Sequence, residues 1–567
     1  MQRLELTWIG KGEEPEVEPR ILIHDPSMDY GDPDTGNMLI HGDNLLALKA
    51  LEQDYAGKMK CIYIDPPYNT GAAFEYYDDN LEHSIWLDLM KPRLEILRSL
   101  LADDGLLFVQ IDDNEQAYLT VLLDEIFGRK NRLNTITVKM SEASGVKMAH
   151  ADKRLPKLKE YILVYYKAQP PLITPEKVPL QEWNNEYKQL LTGISDDEID
   201  ELHNILHSSE GATEATLNRC NSILSRGKVV SLAKHFKGLG LPKEEEESWK
   251  FAHAKYIIQA VGSTSVFKIA KNTHLLDQDV MAVPSSSGLI YLVNTRVDMN
   301  AKQPRVQVIF ASDNLSQNQG DLWLDIKTTG GVGQEGGVLF ANSKKPERLI
   351  KKVISLCTNE GDFVLDSFLG SGTTAAVAQK MNRRWIGIEL GAHAYTHCIP
   401  RLKKVIDGND ETGITDLVSW RGGGGYRFFE LAPSLIAIDS RGNPVFSEQY
   451  SPEMLVAAVT KLNGFRYAPD PDVFWKQGYS QDKSYIYVTT QYLTAGMLDG
   501  IASDMDPLES LLVCAPAFDL DLNKRYDNIT VKKIPQSVLA KCEYGVDNYN
   551  LNIVDLPVCD DEEREDD

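Results

Sequence analysis

Short apolar runs that alternate with helical-period segments limit most strongly what this chain can fold into. Runs at about 37–41, 59–65 and 106–111 read as strands, and segments at about 43–53, 83–102 and 115–127 repeat apolar residues with a helical period. The rhythm returns late, as a helix near 346–357, a strand at 362–366, a helix at 373–381, a strand at 384–389 and a helix near 392–405. This pattern predicts an α/β fold: a doubly wound, mostly parallel sheet with both faces covered. Such sheets bind ligands outside the carboxyl ends of their strands. The residues just after each predicted strand therefore carry the information about function.

After Cys61-Ile62-Tyr63-Ile64 come Asp65-Pro66-Pro67-Tyr68. Asp65 and the Pro66 carbonyl can each accept from an exocyclic N–H, and Pro67 helps hold Pro66 extended. Tyr68 can stack on a base taken out of its helix. Asp and Pro are also common in ordinary strand-to-loop turns. After Phe363-Val364-Leu365-Asp366 comes Ser367-Phe368-Leu369-Gly370-Ser371-Gly372-Thr373-Thr374-Ala375, a glycine turn that opens a helix. Gly370 and Gly372 allow a tight turn and close approach of a ligand to backbone N–H groups. The next strand ends in Glu389, where an acid can grip ribose hydroxyls. Taken alone, this second loop also fits a dinucleotide-binding fold.

Together the two loops resemble those of the amino-methylating, S-adenosylmethionine-dependent DNA methyltransferases. In that family the Phe-x-Gly-x-Gly loop cradles the methyl donor and the Asp-Pro-Pro-Tyr loop holds the target amine. The amine loop comes first and the cofactor loop late, as in the β-group of these enzymes. Further segments agree: Leu39-Ile40-His41-Gly42-Asp43-Asn44, the extended amine loop through Asn69-Thr70-Gly71, Gly105 to Glu115, Glu335 to Phe340, and Lys345 to Ile350. The set is most similar to the Mod subunits of type III restriction-modification systems.

The resemblance implies a site-specific transfer of methyl from S-adenosylmethionine to N6 of a flipped adenine in duplex DNA. It assigns Asp65, Pro66, Pro67 and Tyr68 to the amine site. Asp43, Lys345, Pro346, Asp366, Phe368, Gly370, Gly372, Thr373 and Glu389 fall to the cofactor, with Asp366 facing the methionine amino group. It also implies a homodimer and a separate ATP-dependent restriction (helicase-nuclease) partner. No Gly-x-x-x-x-Gly-Lys-[Ser/Thr] loop is present to drive translocation by this chain itself. Relatives acting on N4 of cytosine usually carry Ser where Asp65 stands, and no Pro-Cys pair is present for C5 chemistry. A stand-alone DNA adenine methyltransferase, an N4-cytosine or RNA adenine methyltransferase, a catalytically dead specificity subunit and an oxidoreductase are the alternatives. Nothing in the sequence gives the Tyr68 hydroxyl a role, so Tyr68→Phe is expected to cost little.

The expected organisation is 1–132 and 326–430 as the two halves of the methyltransferase domain. A target-recognition insert occupies 133–325, an α+β domain for partner docking or bracing 431–555, and an acidic tail 556–567. In the insert Asp196 to Ser225 reads helical, Glu244 to Glu247 is a solvated acidic run, and Gly288 to Phe310 has strand-like pieces. Arg421 to Tyr426 is either a hinge or a glycine-rich edge. The net charge of −24 looks wrong for DNA, but residues 129–330 hold 26 Lys+Arg against 23 Asp+Glu. Two stretches there are basic, one with Lys147, Lys153, Arg154, Lys157 and Lys159, the other with Arg226, Lys228, Lys234 and Lys237. Such local stripes are a nucleic-acid footprint or ordinary solvated surface. Seven scattered cysteines, never spaced Cys-x-x-Cys, suggest neither disulfides nor a zinc site, and no metal is expected. With no long apolar run and a charged N-terminal stretch, no membrane contact is expected and the cytoplasm is the expected compartment.

Overall fold

A computed structural model of the chain describes all residues except 1–4, 9–10, 13–16, 70–82, 142–154, 181, 209–210, 327–330, 341–343, 439, 442–443, 481–482 and 535–567. Thr70, Gly71, Lys147, Lys153, Arg154, the end of the 431–555 segment and the acidic tail lie outside the described residues. The chain forms two compact units, Met1–Pro175 with Gly320–Asp567, and Glu176–Gln319.

The first unit is built on one large sheet. Its strands are β1 (Leu22–His24), β2 (Met38–His41), β3 (Met59–Ile64), β4 (Leu101–Ile111), β5 (Arg132–Lys139), β6 (Lys159–Tyr166), β7 (Leu322–Trp323), β8 (Phe363–Asp366), β9 (Arg384–Glu389) and β10 (Gly425–Leu431). Their order is β1-β10-β2-β9-β8-β3-β4-β6-β5-β7. From β10 through β4 every pairing is parallel, and β6 is antiparallel to both its neighbours. Helices α1 (Asn44–Tyr55), α2 (His83–Leu100), α3 (Gln116–Leu123), α4 (Glu347–Cys357), α5 (Thr373–Lys380) and α6 (Ile399–Ile406) connect the strands. The predicted alternation is thus observed, with element ends displaced by a few residues.

Two apolar layers sandwich the sheet. One holds Ile62, Ile64, Leu107, Val109, Leu365 and Ile386 against α1 and α2 residues such as Leu48, Trp86 and Leu94. The other holds Cys61, Tyr63, Phe108, Val364 and Trp385 against Leu349, Val353 and Leu402. Alternate residues of β3 and β4 thus fall on opposite faces, and both faces are apolar, as a buried parallel sheet requires. β8 and β3, 299 residues apart at Phe363 and Ile64, are direct neighbours, with Leu365 beside Ile62. That adjacency brings the two loops read from sequence to one edge.

The expected insert boundary at 133 needs correction. β5 and β6 extend the main sheet, burying Ile136, Val138, Ile162 and Val164 in the same layer as Tyr63 and Phe108. The two strands form an antiparallel pair, which falls outside the βαβ rhythm that marks the rest of the sheet. The second unit, Glu176–Gln319, carries a six-stranded antiparallel sheet. Helices Asp196–Leu206 and Glu214–Leu224 cover it, the first started by a Ser195/Glu198 capping box. Glu244, Glu245 and Glu246 occupy the first turn of a helix, Lys243–Ala252, where their charge complements the helix dipole.

Beyond β10 the chain adds a five-stranded sheet with helices Pro452–Leu462 and Ala495–Asp504. This region falls within the first unit. The Lys461 ammonium donates to the Ala50 carbonyl in α1, and Arg466 pairs with Asp54 near the end of that helix at 3.3 Å. The glycine joint is an edge: Gly425 and Tyr426 are already strand, and a Cβ on Gly422 would meet the Ile406 carbonyl oxygen at 2.8 Å. No helix among the described residues is long and apolar enough to cross a membrane.

Candidate active site

Five acids stand at the carboxyl ends of five neighbouring parallel strands. Asp43 follows β2, Glu389 closes β9, Asp366 closes β8, Asp65 follows β3 and Asp112 follows β4. A doubly wound sheet aims these strand ends at one crevice. Their contacts fall into two groups, one around the loop expected to hold the amine and one around the loop expected to hold the cofactor.

In the amine half, Asp65 Oδ2 lies 2.8 Å from the Lys345 ammonium and Asp65 Oδ1 accepts from the Tyr68 hydroxyl at 2.7 Å. That hydroxyl also lies 2.8 Å from Glu160 Oε2, so one proton serves two carboxylates. Glu160, on β6, is further held by Gln110, which in turn accepts from the Tyr63 hydroxyl at 2.6 Å. The Lys345 ammonium sits 4.9 Å from the Tyr68 ring centre and 3.8 Å from Glu160. Trp86 donates to the Pro67 carbonyl at 2.8 Å and so fixes the proline turn from α2. Burial pushes the Asp65 carboxyl above its ordinary value, against the pull of Lys345 and with a further push from Glu160. A carboxylate so placed is a better proton acceptor than one in water.

These contacts change two expectations. Lys345, expected at the cofactor, reaches Asp65 and Glu160 with its ammonium, whereas its neighbour Lys344 donates to the carbonyls of the Val332–Gly337 turn and Val338. The Tyr68 hydroxyl is bonded. Tyr68→Phe strips a donor from two partly buried carboxylates and is therefore expected to cost about 1–3 kcal/mol of catalysis. That corresponds to a roughly 5–150-fold slower single-turnover rate; an unchanged rate would show the hydroxyl to be idle.

In the cofactor half, Asp366 Oδ1 accepts from the Phe368 N–H at 2.9 Å and Oδ2 from the Thr374 hydroxyl at 2.5 Å. Burial pushes Asp366 up to about 7. Glu389 accepts from the Gly370 N–H at 2.7 Å and the Gly391 N–H at 2.9 Å. Gly370 and Gly372 have φ of +54° and +79°, a left-handed geometry that disfavours side chains. The buried Ser367 hydroxyl has no hydrogen-bond partner among the described residues. Asn44 donates to the Ser367 carbonyl at 2.8 Å and accepts from Arg93 at 2.6 Å, coupling the turn after β2 to this loop. Asp43 caps α1 through Leu46 N–H at 3.1 Å and meets Arg93 at 3.4 Å. Phe368 packs into the core beneath, and Pro346 starts α4.

A buried ionic lattice holds the loop from behind. Glu347 binds Lys380 and Arg401, each at 2.8 Å, and Lys380 also meets Asp410 at 2.7 Å. Arg401 donates to the Thr373 hydroxyl at 2.7 Å. Thr373 is therefore tied from inside, a tie that sequence spacing does not reveal. Glu160, Gln110 and Arg401 escaped sequence reading because each lies far along the chain from the loop it supports.

The basic stretches divide. Lys157 pairs with Asp112, and Lys159 with Asp113 at 2.5 Å, so both are neutralised at the end of β4. Arg226 pairs with Glu198. Lys228, Lys234 and Lys237 are exposed on the second unit.

Residues 59–399 match the family described as DNA methylase. The HindVI Mod subunit of Haemophilus influenzae, a probable type III restriction-modification enzyme, is 37% identical over 70% of this chain and 54% of its own length. The StyLTI Mod subunit of Salmonella typhimurium is 28% identical over 61% of this chain and 50% of its own. The EcoP15I Mod subunit of Escherichia coli is 27% identical over 67% and 62%, respectively. The chain thus spans about half the length of the first two relatives. The family match covers more than half of the chain and includes both loops: the chain belongs to the DNA methylase family.

Proposed function

We propose that this protein transfers a methyl group from S-adenosylmethionine to N6 of an adenine flipped out of duplex DNA, as the modification subunit of a type III restriction-modification system. The observation that carries the reading is the adjacency of β3 and β8, which sets Asp65 and Tyr68 beside the glycine loop. The Asp65 carboxylate and Pro66 carbonyl accept from the amino group and draw its lone pair out of the ring. Tyr68 stacks on the base. Asp65, raised by burial, is placed to take the proton that the nitrogen sheds. S-adenosylmethionine supplies the electrophilic methyl group; Asp366, the Gly370–Gly372 turn and Glu389 are the residues that would hold it. The positive φ values, the partnerless Ser367 hydroxyl and the two carboxylates fit a ligand with a cationic amino group and ribose hydroxyls.

Asp366 makes this testable by pH. With its carboxyl at about 7, holding a cationic amino group requires it to lose a proton. Cofactor affinity is expected to rise about tenfold per pH unit below 7 and to level off above it. Asp366→Asn should flatten that rise; calorimetry between pH 5.5 and 7.5 reads it, and an identical slope in the variant contradicts the role.

The second unit is the target-recognition domain in this reading, with Lys228, Lys234 and Lys237 contacting phosphates. Reversing these three charges should weaken binding to all sequences and reduce its salt dependence. The paired Lys157 and Lys159 offer less than an open stripe would. A homodimer, with one protomer reading the duplex and one extruding the base, is testable by sedimentation. The region after β10 is a docking surface for an ATP-dependent restriction subunit in a cytoplasmic complex. Its Trp475 and Ile486 are core, and Phe474, Leu508 and Leu520 are among its exposed large apolar side chains. The chain alone should methylate DNA and never cut it. Sequencing DNA from cells that express it, with detection of modified bases, should reveal N6-methyladenine in one motif on one strand; absence of any modified motif would sink the proposal.

A further inference from the structure

The second unit contains a side-chain cluster that the methyl-transfer reading does not use. His203 sits in the last turn of helix Asp196–Leu206, and His207 caps that helix one turn later. Asp313 comes from the short turn Ser312–Asn314 after the sheet strand Gln307–Phe310. One ligand atom from each lies within 4.8 Å of the others.

In each neutral ring the tautomer follows from what the far side of the ring touches. His203 Nε2 lies 3.1 Å from the Lys255 carbonyl oxygen, which can only accept, so Nε2 carries the proton and Nδ1 keeps its lone pair. His207 Nδ1 lies 2.8 Å from the His203 carbonyl oxygen, so Nδ1 carries the proton and Nε2 keeps its lone pair. Those two lone-pair nitrogens are the ones that face Asp313: His203 Nδ1 at 3.9 Å and His207 Nε2 at 3.5 Å from the same Oδ1. The rings are nearly parallel, 6° apart, and Phe310 packs 4.3 Å from the His203 ring centre, which limits its rotation. Imidazoles whose second nitrogen donates to a backbone carbonyl are the usual arrangement around a bound metal. Zinc with bonds of about 2.0–2.1 Å holds tetrahedral ligands about 3.4 Å apart, so binding an ion would draw the three ligand atoms together by up to about 1.4 Å. The nearby Lys255 ammonium is already committed to Asp196 and Asp200, at 3.0 and 2.9 Å.

We propose that His203, His207 and Asp313 bind one divalent transition-metal ion of the zinc class, with water completing the coordination. Two nitrogens and one carboxylate exclude magnesium and calcium as the preferred ions. The ion clasps the end of the helix to the turn after Gln307–Phe310, inside the second unit. Cysteine spacing cannot reveal such a site, which is why the sequence suggested no zinc. The site is independent of methyl transfer and does not require it.

The test uses full-length protein without a polyhistidine tag, stripped by chelator and then given zinc chloride. Bound zinc measured by mass spectrometry after gel filtration should approach about one ion per chain, and cobalt should give the visible absorption of a four-coordinate site. His207→Ala and Asp313→Ala, both at exposed side chains, should fold normally by circular dichroism. Each should weaken zinc binding by roughly a hundredfold or more, since losing a mere partner of a ligand costs about 10–100-fold. Stoichiometric zinc that survives both substitutions, or no uptake by the parent protein, would overturn the proposal and leave an ordinary histidine–aspartate ion pair.

Discussion

Asp65→Asn is expected to bind S-adenosylmethionine within a few-fold of the parent protein while methyl transfer falls by at least about a thousandfold, near 4 kcal/mol. The substitution keeps the shape and removes the charge. Asp65 accepts from Lys345 at 2.8 Å and from Tyr68 at 2.7 Å, and burial makes it a stronger proton acceptor. With an amide there, the Lys345 ammonium is left to Glu160 alone and the target amino group loses its charged acceptor. Single-turnover transfer from labelled cofactor, run beside calorimetry, separates chemistry from binding. A variant within tenfold of the parent rate would remove Asp65 from the chemistry.

Gly370→Val is expected to abolish cofactor binding, by about a hundredfold or more, while costing the fold only about 1–2 kcal/mol for a left-handed residue. Among the described residues, the nearest atom to a Cβ there is Phe340 Cζ at 4.0 Å, so the added group enters open space in the crevice. Gly372→Val should behave differently. Its Cβ would lie 3.3 Å from Cys398 Cα at the same time as its φ of +79° is strained, so thermal unfolding should move well below that of Gly370→Val. Sequence reading treats the two glycines alike. If Gly370→Val binds cofactor normally, the loop is not the cradle.

Much of this was legible before the structure, and the reasons are local. The strands ending at Ile64, Asp366 and Glu389 are continuous apolar runs punctuated by turn residues, and helix ends follow from the same periodicity. Asp65, Tyr68, Gly370 and Glu389 stand out in the chain because each lies just after or at the end of such a strand. What escaped depends on pairing at a distance. β5 and β6 pair antiparallel within the main sheet and so break the βαβ rhythm, and Lys157 and Lys159 read as a basic stripe because their partners Asp112 and Asp113 lie more than forty positions earlier. Glu160 reaches Tyr68 across 92 positions and the Lys345 ammonium reaches Asp65 across the whole insert. A single sequence carries no signal for such pairs. The glycine joint illustrates the converse: composition left a hinge and an edge equal, and the packing of Gly422 against Ile406 decides for the edge.

Methylation of an adenine amino group in DNA is the activity proposed for this chain. Purified protein incubated with labelled S-adenosylmethionine and duplex DNA, followed by digestion to nucleosides, measures it directly. Label is expected in N6-methyladenine alone, dependent on Asp65 and absent with structured RNA as acceptor. Label in N4-methylcytosine, label in RNA instead of DNA, or no transfer by a protein that binds the cofactor would contradict it.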